Sequence, residues 1–440
     1  MREREPEKHI HTVLTGIANR ARIDKEHRFG GLYTLLNKDF LRWCFYQLNR
    51  KASPGVDGIF WVDYERELEA NLDDLVDRLK RKAYKARLVK RHYIPKGEDT
   101  FRPLGLPVLE DKLVQYATKT ILGTIYEEDF KWFSFGYRPE RSAKEATGEL
   151  AFLLQFRPIG YVVEADIKGF FDNINHEWML KMLEKRVHDR AFVGLIRKWL
   201  KAGVLEDLDT VTHPATGTPQ GGVISPILAN IYLHYTMDKW FEEKVKPQCE
   251  GEAHMIRYAD DFVCAFQLEK DADQFYRAQL PQRMSRLSLE LAPEKTRLLS
   301  FSRLKIHKGE KFEFLGFEFR WGRNRHLKPQ VKRRTSRKRL NRAMTDLTAW
   351  IKKMRHRGLR PLMATLIRKL RGHYNYYGVT HNSNSLWEYW EHMKRVVYKW
   401  LNRRSQRRSF TWQKFTDMLE RYKVPRPYIK ETPGRKRFVA

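Results

Sequence analysis

The order of apolar and polar residues predicts alternating helices and short strands over most of the chain. Apolar residues recur at helical spacing in several stretches, which we predict to be helices. These stretches are residues 32–50, 63–82, 108–125, 142–156, 176–187 and 223–240. Shorter apolar runs have the length and composition of strands. They lie at 89–95, 161–165, 255–258, 262–266 and 312–320.

The pattern changes near residue 325. From Arg320 to Arg360 the chain has sixteen Lys or Arg residues and one Asp, and helical, basic and aromatic sequence continues to the end. We therefore predict an N-terminal segment at 1–27, a region of mixed helices and strands at 28–325, and a basic helical region at 326–440. A chain of 440 residues is long enough for two to four domains.

Charge identifies the class of partner. The 85 Lys and Arg residues exceed the 54 Asp and Glu residues by 31. Such an excess costs stability through self-repulsion unless a polyanion neutralises it, so nucleic acid is the leading partner. A solubilising surface is the alternative, but balanced charges would serve that purpose. An acidic membrane fits less well, because no apolar run approaches the roughly 20 residues of a membrane span.

The N-terminus and the cysteines exclude other classes. Residues 1–28 lack the apolar core of a signal peptide, and their acidic residues argue against a transit peptide, so we expect a cytoplasmic protein. Cys44, Cys249 and Cys264 are far apart in sequence and lack metal-ligand spacing. We expect them to be small buried apolar side chains.

Three aspartates carry the strongest chemical signal. Asp166 follows an apolar run, while Asp260 and Asp261 lie between two such runs in a pattern typical of a hairpin. Carboxylates on neighbouring strands can hold two Mg²⁺ ions about 3.5–4 Å apart, as nucleotidyl transfer requires. A tight turn without metals is the alternative, and Asp73-Asp74 shows the contrast, since that pair lies on a polar helix face. Acids among apolar strand residues would be costly without cations.

The longer motifs around these aspartates resemble those of reverse transcriptases encoded by group II introns. Tyr258-Ala-Asp-Asp261 resembles the polymerase signature, and residues 163–176 resemble the first catalytic strand. Residues 217–230 resemble the segment between them, and residues 51–58 and 133–139 resemble further segments of the family. Order and spacing agree, and the resemblance extends from about residue 28 to 425.

This resemblance implies a fold class. We expect an α+β right-hand polymerase, with fingers and palm containing an antiparallel sheet at 28–325, followed by an all-α thumb and maturase region at 326–440. Residues 28–58 occupy the place of the family's N-terminal extension, which grips template RNA. Residues 314–317 resemble the hairpin that grips the primer.

The resemblance also implies the metal ligands. They are the carboxylates of Asp166, Asp260 and Asp261 and the backbone carbonyl of Ile167. The expected cofactor is a pair of Mg²⁺ ions, with Mn²⁺ as a substitute.

A nucleotide pocket follows from the same motifs. Lys96 and Arg102 would clamp the triphosphate, since Arg binds phosphate in a bidentate manner and Lys acts as a point charge. Phe171, five residues after Asp166, would exclude a ribose 2′-hydroxyl. Gln220 would contact the incoming deoxynucleotide, and Lys295 would lie near the metals.

The C-terminal region resembles the maturase domain of the family, which helps the intron RNA to splice. Its aromatic residues Tyr374, Tyr377, Trp387 and Trp390 either form helix core or stack on RNA bases. No Cys pairs or His-Asn-His cluster follow, so we expect that the DNA endonuclease domain is absent. Such a protein would have to prime from an existing 3′ end.

The implied partners are an RNA template, a DNA or RNA primer, deoxynucleotides, structured intron RNA and target DNA, and no membrane. Two alternatives stay open. One is a domesticated relative that acts in DNA repair or phage defence, and the other is a splicing cofactor that binds RNA without polymerase use.

We predict that nucleic-acid binding falls steeply with salt, because each neutralised phosphate releases counterions. A plot of log affinity against log salt concentration should have a slope of about −5 or steeper for an RNA–DNA hybrid. Fluorescence anisotropy across a KCl series measures it. A slope near zero would contradict a polyanion partner.

Overall fold

A computed structural model of the chain describes residues 5–95, 101–206, 210–212, 216–218, 221–306, 310–404 and 409–431. Its α-helices are α1 (Glu5–Ile23), α2 (Lys38–Gln47), α3 (Trp61–Arg66), α4 (Leu68–Lys80), α5 (Leu109–Tyr126), α6 (Ala143–Phe156), α7 (His176–Leu183), α8 (Arg190–Leu200), α9 (Ser225–Leu233), α10 (Glu269–Gln274), α11 (Leu280–Arg286), α12 (Arg337–Met354), α13 (Leu359–Tyr377), α14 (Ser383–Leu401) and α15 (Trp412–Arg421). Its strands are β1 (Val89–Pro95), β2 (Phe101–Leu106), β3 (Tyr161–Ala165), β4 (Val204–Glu206), β5 (Thr210–Thr212), β6 (Ala253–Tyr258), β7 (Asp261–Phe266), β8 (Arg297–Ser300), β9 (Phe312–Phe314), β10 (Phe317–Arg323) and β11 (Pro329–Thr335).

These elements confirm a mixed α and β architecture up to β11 and a helical one after it. Capping sets some of the helix ends. At α6, the Ser142 hydroxyl accepts from the Glu145 backbone N–H and the Glu145 carboxylate accepts from the Ser142 N–H. The predicted helix at 32–50 is instead divided, because the Asn37 side chain accepts from the Phe40 N–H and begins α2 there. A short 3₁₀ turn, Leu32–Leu35, precedes it.

The strands form three sheets. Sheet I has the order β6-β7-β3-β8 and is antiparallel throughout. Sheet II has the order β2-β1-β4-β5, in which β1 and β4 pair in parallel. Sheet III has the order β11-β10-β9.

Sheet III differs from its prediction. The single strand expected at 312–320 folds back on itself, since Phe317 pairs with Phe314 across a two-residue turn. Leu315 and Gly316 form this turn with φ of 51° and 80°. Two consecutive left-handed residues match the right-handed twist of a hairpin. The apolar positions shift from even to odd numbers at this turn, and the observed reversal agrees with the hairpin that the family resemblance implies at 314–317.

Two hydrophobic cores organise the chain. The first contains buried residues from Ile10 to Val331, together with Val379. The second contains buried residues from Leu340 to Val424. The domain bounds predicted from the sequence stay a prediction, but the helical region after β11 has a core of its own.

The four aromatic residues of the C-terminal region, predicted either to form helix core or to stack on RNA bases, differ in their burial. Tyr374 and Trp390 are buried in the second core. Tyr377 is half-buried and contacts both cores, whereas Trp387 is exposed. Within the described residues, no helix combines the length and apolar character needed to cross a membrane.

Asn382 fastens the two cores together. Its side-chain carbonyl accepts from the Thr335 N–H at 2.8 Å, and its amide donates to the Thr335 hydroxyl and the Tyr377 carbonyl, each at 2.8 Å. Asn382 is fully buried. Removal of the Asn382 side chain would leave the backbone N–H and the hydroxyl of Thr335, and the carbonyl of Tyr377, without these hydrogen bonds in a buried environment.

We therefore expect Asn382→Ala to lower the free energy of unfolding by about 2 kcal/mol or more, since several buried polar groups lose their partners. Thermal unfolding monitored by fluorescence measures the effect. Asn384→Ala is the control, because Asn384 is exposed on the same helix. Equal melting temperatures for the two variants would contradict this role.

Candidate active site

The three aspartates meet at one end of sheet I. Strands β3 and β7 pair Ala165 with Phe262, so Asp166 continues the register beside Asp261. Strands β6 and β7 pair Tyr258 with Asp261, which leaves only Ala259 and Asp260 in the turn. Ala259 has φ of 55° in the left-handed region. The hairpin predicted from the apolar runs is confirmed.

Crowding of negative charge perturbs two of these acids. Burial raises the pKa of Asp260, and the charge of Asp166 adds to the rise. Burial also raises the pKa of Asp261 to about 6, with further contributions from Asp260 and Asp166. The three carboxylates are therefore close enough to repel one another.

Cations from distant parts of the chain oppose this repulsion. Arg102 of β2 and Arg257 of β6 lower the pKa of Asp260. Lys295 and Arg339 lower the pKa of Asp261. The Lys295 ammonium lies 2.5 Å from Asp166 Oδ2 and is an exposed neighbour of that carboxylate, and this hydrogen bond raises the pKa of Lys295.

The donor set suits hard divalent cations. Repelling carboxylates favour cation binding, and Mg²⁺ prefers carboxylate and carbonyl oxygens. Ile167 forms an antiparallel bridge with Leu291. The two hydrogen bonds of that bridge use the carbonyl of Asp166 and the N–H of Lys168, not the Ile167 carbonyl. Among the described residues, no three His, Cys, Asp or Glu side chains, the three aspartates included, are grouped closely enough to hold a metal ion by themselves.

Phe171 lies in the 3₁₀ turn Phe170–Asp172, five residues after Asp166. Phe170 is buried, as expected of a core residue, whereas Phe171 is half-buried. The Phe171 ring contacts Tyr137 edge to face, with ring centroids 6.4 Å apart. Its backbone carbonyl accepts from the Thr218 N–H at 2.8 Å. The Phe171 ring thus has an aromatic neighbour, and the Phe171 backbone is fixed by a hydrogen bond.

The glycine-rich segment after residue 216 packs closely on its neighbours. A Cβ at Gly217 would lie 2.7 Å from the Asp172 carbonyl oxygen, and one at Gly221 would lie 2.7 Å from the Gly105 carbonyl oxygen. Both glycines also have left-handed φ. Gly217 thus packs against the turn that carries Phe171, and Gly221 packs against β2. Gln220 and Lys96, both predicted for the nucleotide pocket, lie outside the described residues.

The helical C-terminal region reaches the same site. The Tyr376 hydroxyl donates to the Leu315 carbonyl at 2.9 Å, and its ring stacks on Phe317 at 5.8 Å. Burial raises the pKa of Tyr376 to about 12, with smaller contributions that include Asp261. The turn at 315–316, predicted as a primer grip, is thus attached to α13. Sequence reasoning assigned no role to Tyr376 or to Arg339.

Two further residues at the site were also missed. Arg257 is fully buried beneath the turn and donates to the Ala259 carbonyl at 3.0 Å. A Cβ at Gly136 would lie 2.2 Å from the Ala259 nitrogen, so only glycine allows this approach. The sequence signal for Arg257 was a charged residue within an apolar run. The segment 133–139 was recognised from its resemblance to the family, but no role was assigned to Gly136.

Comparison with known proteins agrees with this site. A family model described as reverse transcriptase (RNA-dependent DNA polymerase) matches residues 94–319, just over half of the chain. The group II intron-encoded protein LtrA of Lactococcus lactis is 30% identical over 383 residues, which cover 73% of this chain and 62% of LtrA. The chain belongs to the reverse transcriptase family.

Other relatives agree with this assignment. Protein YkfC of Escherichia coli is 31% identical over 337 residues, which cover 70% of this chain and 86% of YkfC. The mitochondrial protein Nuclear intron maturase 2 of Arabidopsis thaliana is 26% identical over 176 residues, which cover 31% of this chain and 24% of that protein. The match to LtrA spans less than two thirds of LtrA's length.

Repulsion at the site should cost stability when no metal is bound. The folded-state pKa of Asp261, about 6, lies above the usual value of 3.8. The cost is therefore fully present above pH 6 and disappears as the pH falls below 3.8. Surrounding groups desolvate the Asp261 carboxylate, but the residue still has a large solvent-accessible surface, so solvent screening keeps the expected gain of Asp261→Asn to about 1 kcal/mol or less.

We predict that Asp261→Asn raises the melting temperature in chelator-treated buffer at neutral pH, and that this gain vanishes in acid. Differential scanning fluorimetry across a pH series measures it. Asp73→Asn is the control, because Asp73 is exposed and paired with Lys38. A variant less stable than the parent at neutral pH would contradict the repulsion.

Proposed function

We propose that the protein is an RNA-directed DNA polymerase of group II intron type, which extends a primer on an RNA template by nucleotidyl transfer. The observation that carries this proposal is the meeting of Asp166, Asp260 and Asp261 at one end of sheet I. Membership of the reverse transcriptase family supports it.

Asp166, Asp260, Asp261 and the Ile167 carbonyl would hold two Mg²⁺ ions, or Mn²⁺ in their place. When bound, such ions lower the pKa of the attacking 3′-hydroxyl and balance the charge on the leaving pyrophosphate. Sheet I supplies a rigid mount for the carboxylates, since β7 is paired on both sides.

The remaining residues would bind and select the nucleotide. Arg102 approaches Asp260 from β2 and, with Lys96, would contact the triphosphate. Phe171 would lie under the sugar and exclude a 2′-hydroxyl by steric contact. Gln220 would contact the nucleotide, and Lys295, bonded to Asp166 here, would exchange that partner for substrate phosphate.

We infer a right-hand arrangement, with fingers and palm at 28–325 and with thumb and maturase at 326–440. The approach of Arg339 and Tyr376 to Asp261 supports placement of the C-terminal region beside the site. The basic stretch 320–360 would lie along a duplex of template and primer. Binding of structured intron RNA, and assistance to its splicing and mobility, would use the same basic region.

The test is primer extension on an RNA template with deoxynucleotides and Mg²⁺. Asp260→Asn should lower the rate by about 10³-fold or more, because it removes a carboxylate on which metal binding depends. Asp73→Asn is the matched control and should extend at the parental rate, since Asp73 lies on an exposed helix face.

Failure of the unaltered protein to extend a primer, at low salt where RNA binding is secure, would reject the polymerase. An RNA-binding splicing cofactor would then be the better account. Equal extension by the unaltered protein and Asp260→Asn would instead reject the assigned metal ligands.

A further inference from the structure

A buried ion pair lies directly beneath the turn that carries Asp260. Arg257, on β6, and Asp238 both have fully buried side chains. Arg257 Nε and Nη2 donate to the two carboxylate oxygens of Asp238 at 2.6 and 2.5 Å. The pair is therefore bidentate, which fixes the plane of the guanidinium.

All five N–H groups of Arg257 have an acceptor. Besides the two bonds to Asp238, Nη2 donates to Ser134 Oγ at 2.7 Å, and Nη1 donates to Asn230 Oδ1 at 3.2 Å and to the Ala259 carbonyl at 3.0 Å. A guanidinium has five such donors in a fixed fork, whereas a lysine has three on a flexible stem.

These contacts join several parts of the chain behind one peptide bond. Ser134 belongs to the segment 133–139, Asn230 to α9, and Asp238 to the π-helical turn that continues α9. The Asn230 amide also donates to the Gly136 carbonyl at 2.7 Å. The network thus fixes both the Ala259 carbonyl and the glycine that packs against the Ala259 nitrogen.

The held peptide is a strained one. Ala259 has φ of 55°, in the left-handed region that is unfavourable for an L-residue. Such a conformation persists only where surrounding contacts determine it. The peptide between Ala259 and Asp260 carries the Asp260 side chain directly, so its orientation decides where that carboxylate lies.

We propose that Arg257 is a positioning residue for nucleotidyl transfer: by holding the Ala259 carbonyl it orients the peptide that presents Asp260 to Asp166. The inference rests on the proposed function of this site. This role also explains why the ion pair of Arg257 and Asp238 is buried, although a buried ion pair alone adds little stability over apolar packing.

The experiment compares Arg257→Lys with Arg186→Lys. Arg186 is a matched control, because it too is a buried arginine, paired with Asp129 and donating to the backbone carbonyls of residues 21, 24 and 27, none of which belongs to the turn at 258–261. Four quantities are measured on each protein: the melting temperature, kcat and KM for deoxynucleotide in primer extension, and Mn²⁺ affinity by electron paramagnetic resonance without substrate.

Both variants should have a lower melting temperature than the unaltered protein. Only Arg257→Lys should lose about 10-fold or more in kcat and in Mn²⁺ affinity, with KM for deoxynucleotide nearly unchanged, as expected for a group that orients a metal ligand. Parental kcat and Mn²⁺ affinity in folded Arg257→Lys would overturn the inference. So would equal losses in Arg186→Lys.

Ser134→Ala decides the matter if Arg257→Lys does not fold, because it removes one acceptor and leaves the ion pair. It should lower kcat and Mn²⁺ affinity by about 3-fold, as loss of one orienting hydrogen bond, and no change in either would overturn the inference. Absence of extension by the unaltered protein would reject the proposed function instead, while the Mn²⁺ measurement would still test whether Arg257 orients the carboxylates.

Discussion

Repulsion among three carboxylates at the end of one sheet is the constraint on which the rest of the structure depends. Burial and mutual charge both disfavour the ionised forms. Four cations from separate places lower the pKa values of two of these acids: Arg102 in sheet II, Arg257 beneath the turn, Lys295 just before β8, and Arg339 on α12. Charge balance at this site therefore depends on residues from several separate parts of the fold.

The helical C-terminal region takes part in the site instead of standing apart from it. Tyr376 holds the turn at 315–316 through a hydrogen bond and a ring stack, and Asn382 fastens β11 to the end of α13. Movement of these helices would therefore displace the turn at 315–316 and the groups beside Asp261. In a polymerase of the proposed kind, this connection would couple the C-terminal region, which would lie along the duplex, to the position of the carboxylates.

Local patterns predicted elements well where the physical signal was itself local. The hairpin of β6 and β7 follows from two apolar runs around a polar pair, and α6 follows from periodicity and the capping box at Ser142. Prediction was wrong where one short-range contact interrupts an element expected to be continuous. Asn37 divides the helix expected at 32–50, and Leu315-Gly316 reverses the strand expected at 312–320.

The sequence by itself determined the chemistry: three aspartates in strand-and-turn contexts, a large basic excess, and motifs of one polymerase family. Tertiary structure alone decided which residues support that chemistry. Arg257 looked like one cation among 85, and its role became visible only when residues 134, 230 and 238 met around it. The physical reason is that a charge becomes a positioning device only through burial and the direction of its hydrogen bonds, and both arise from contacts between residues far apart in the chain.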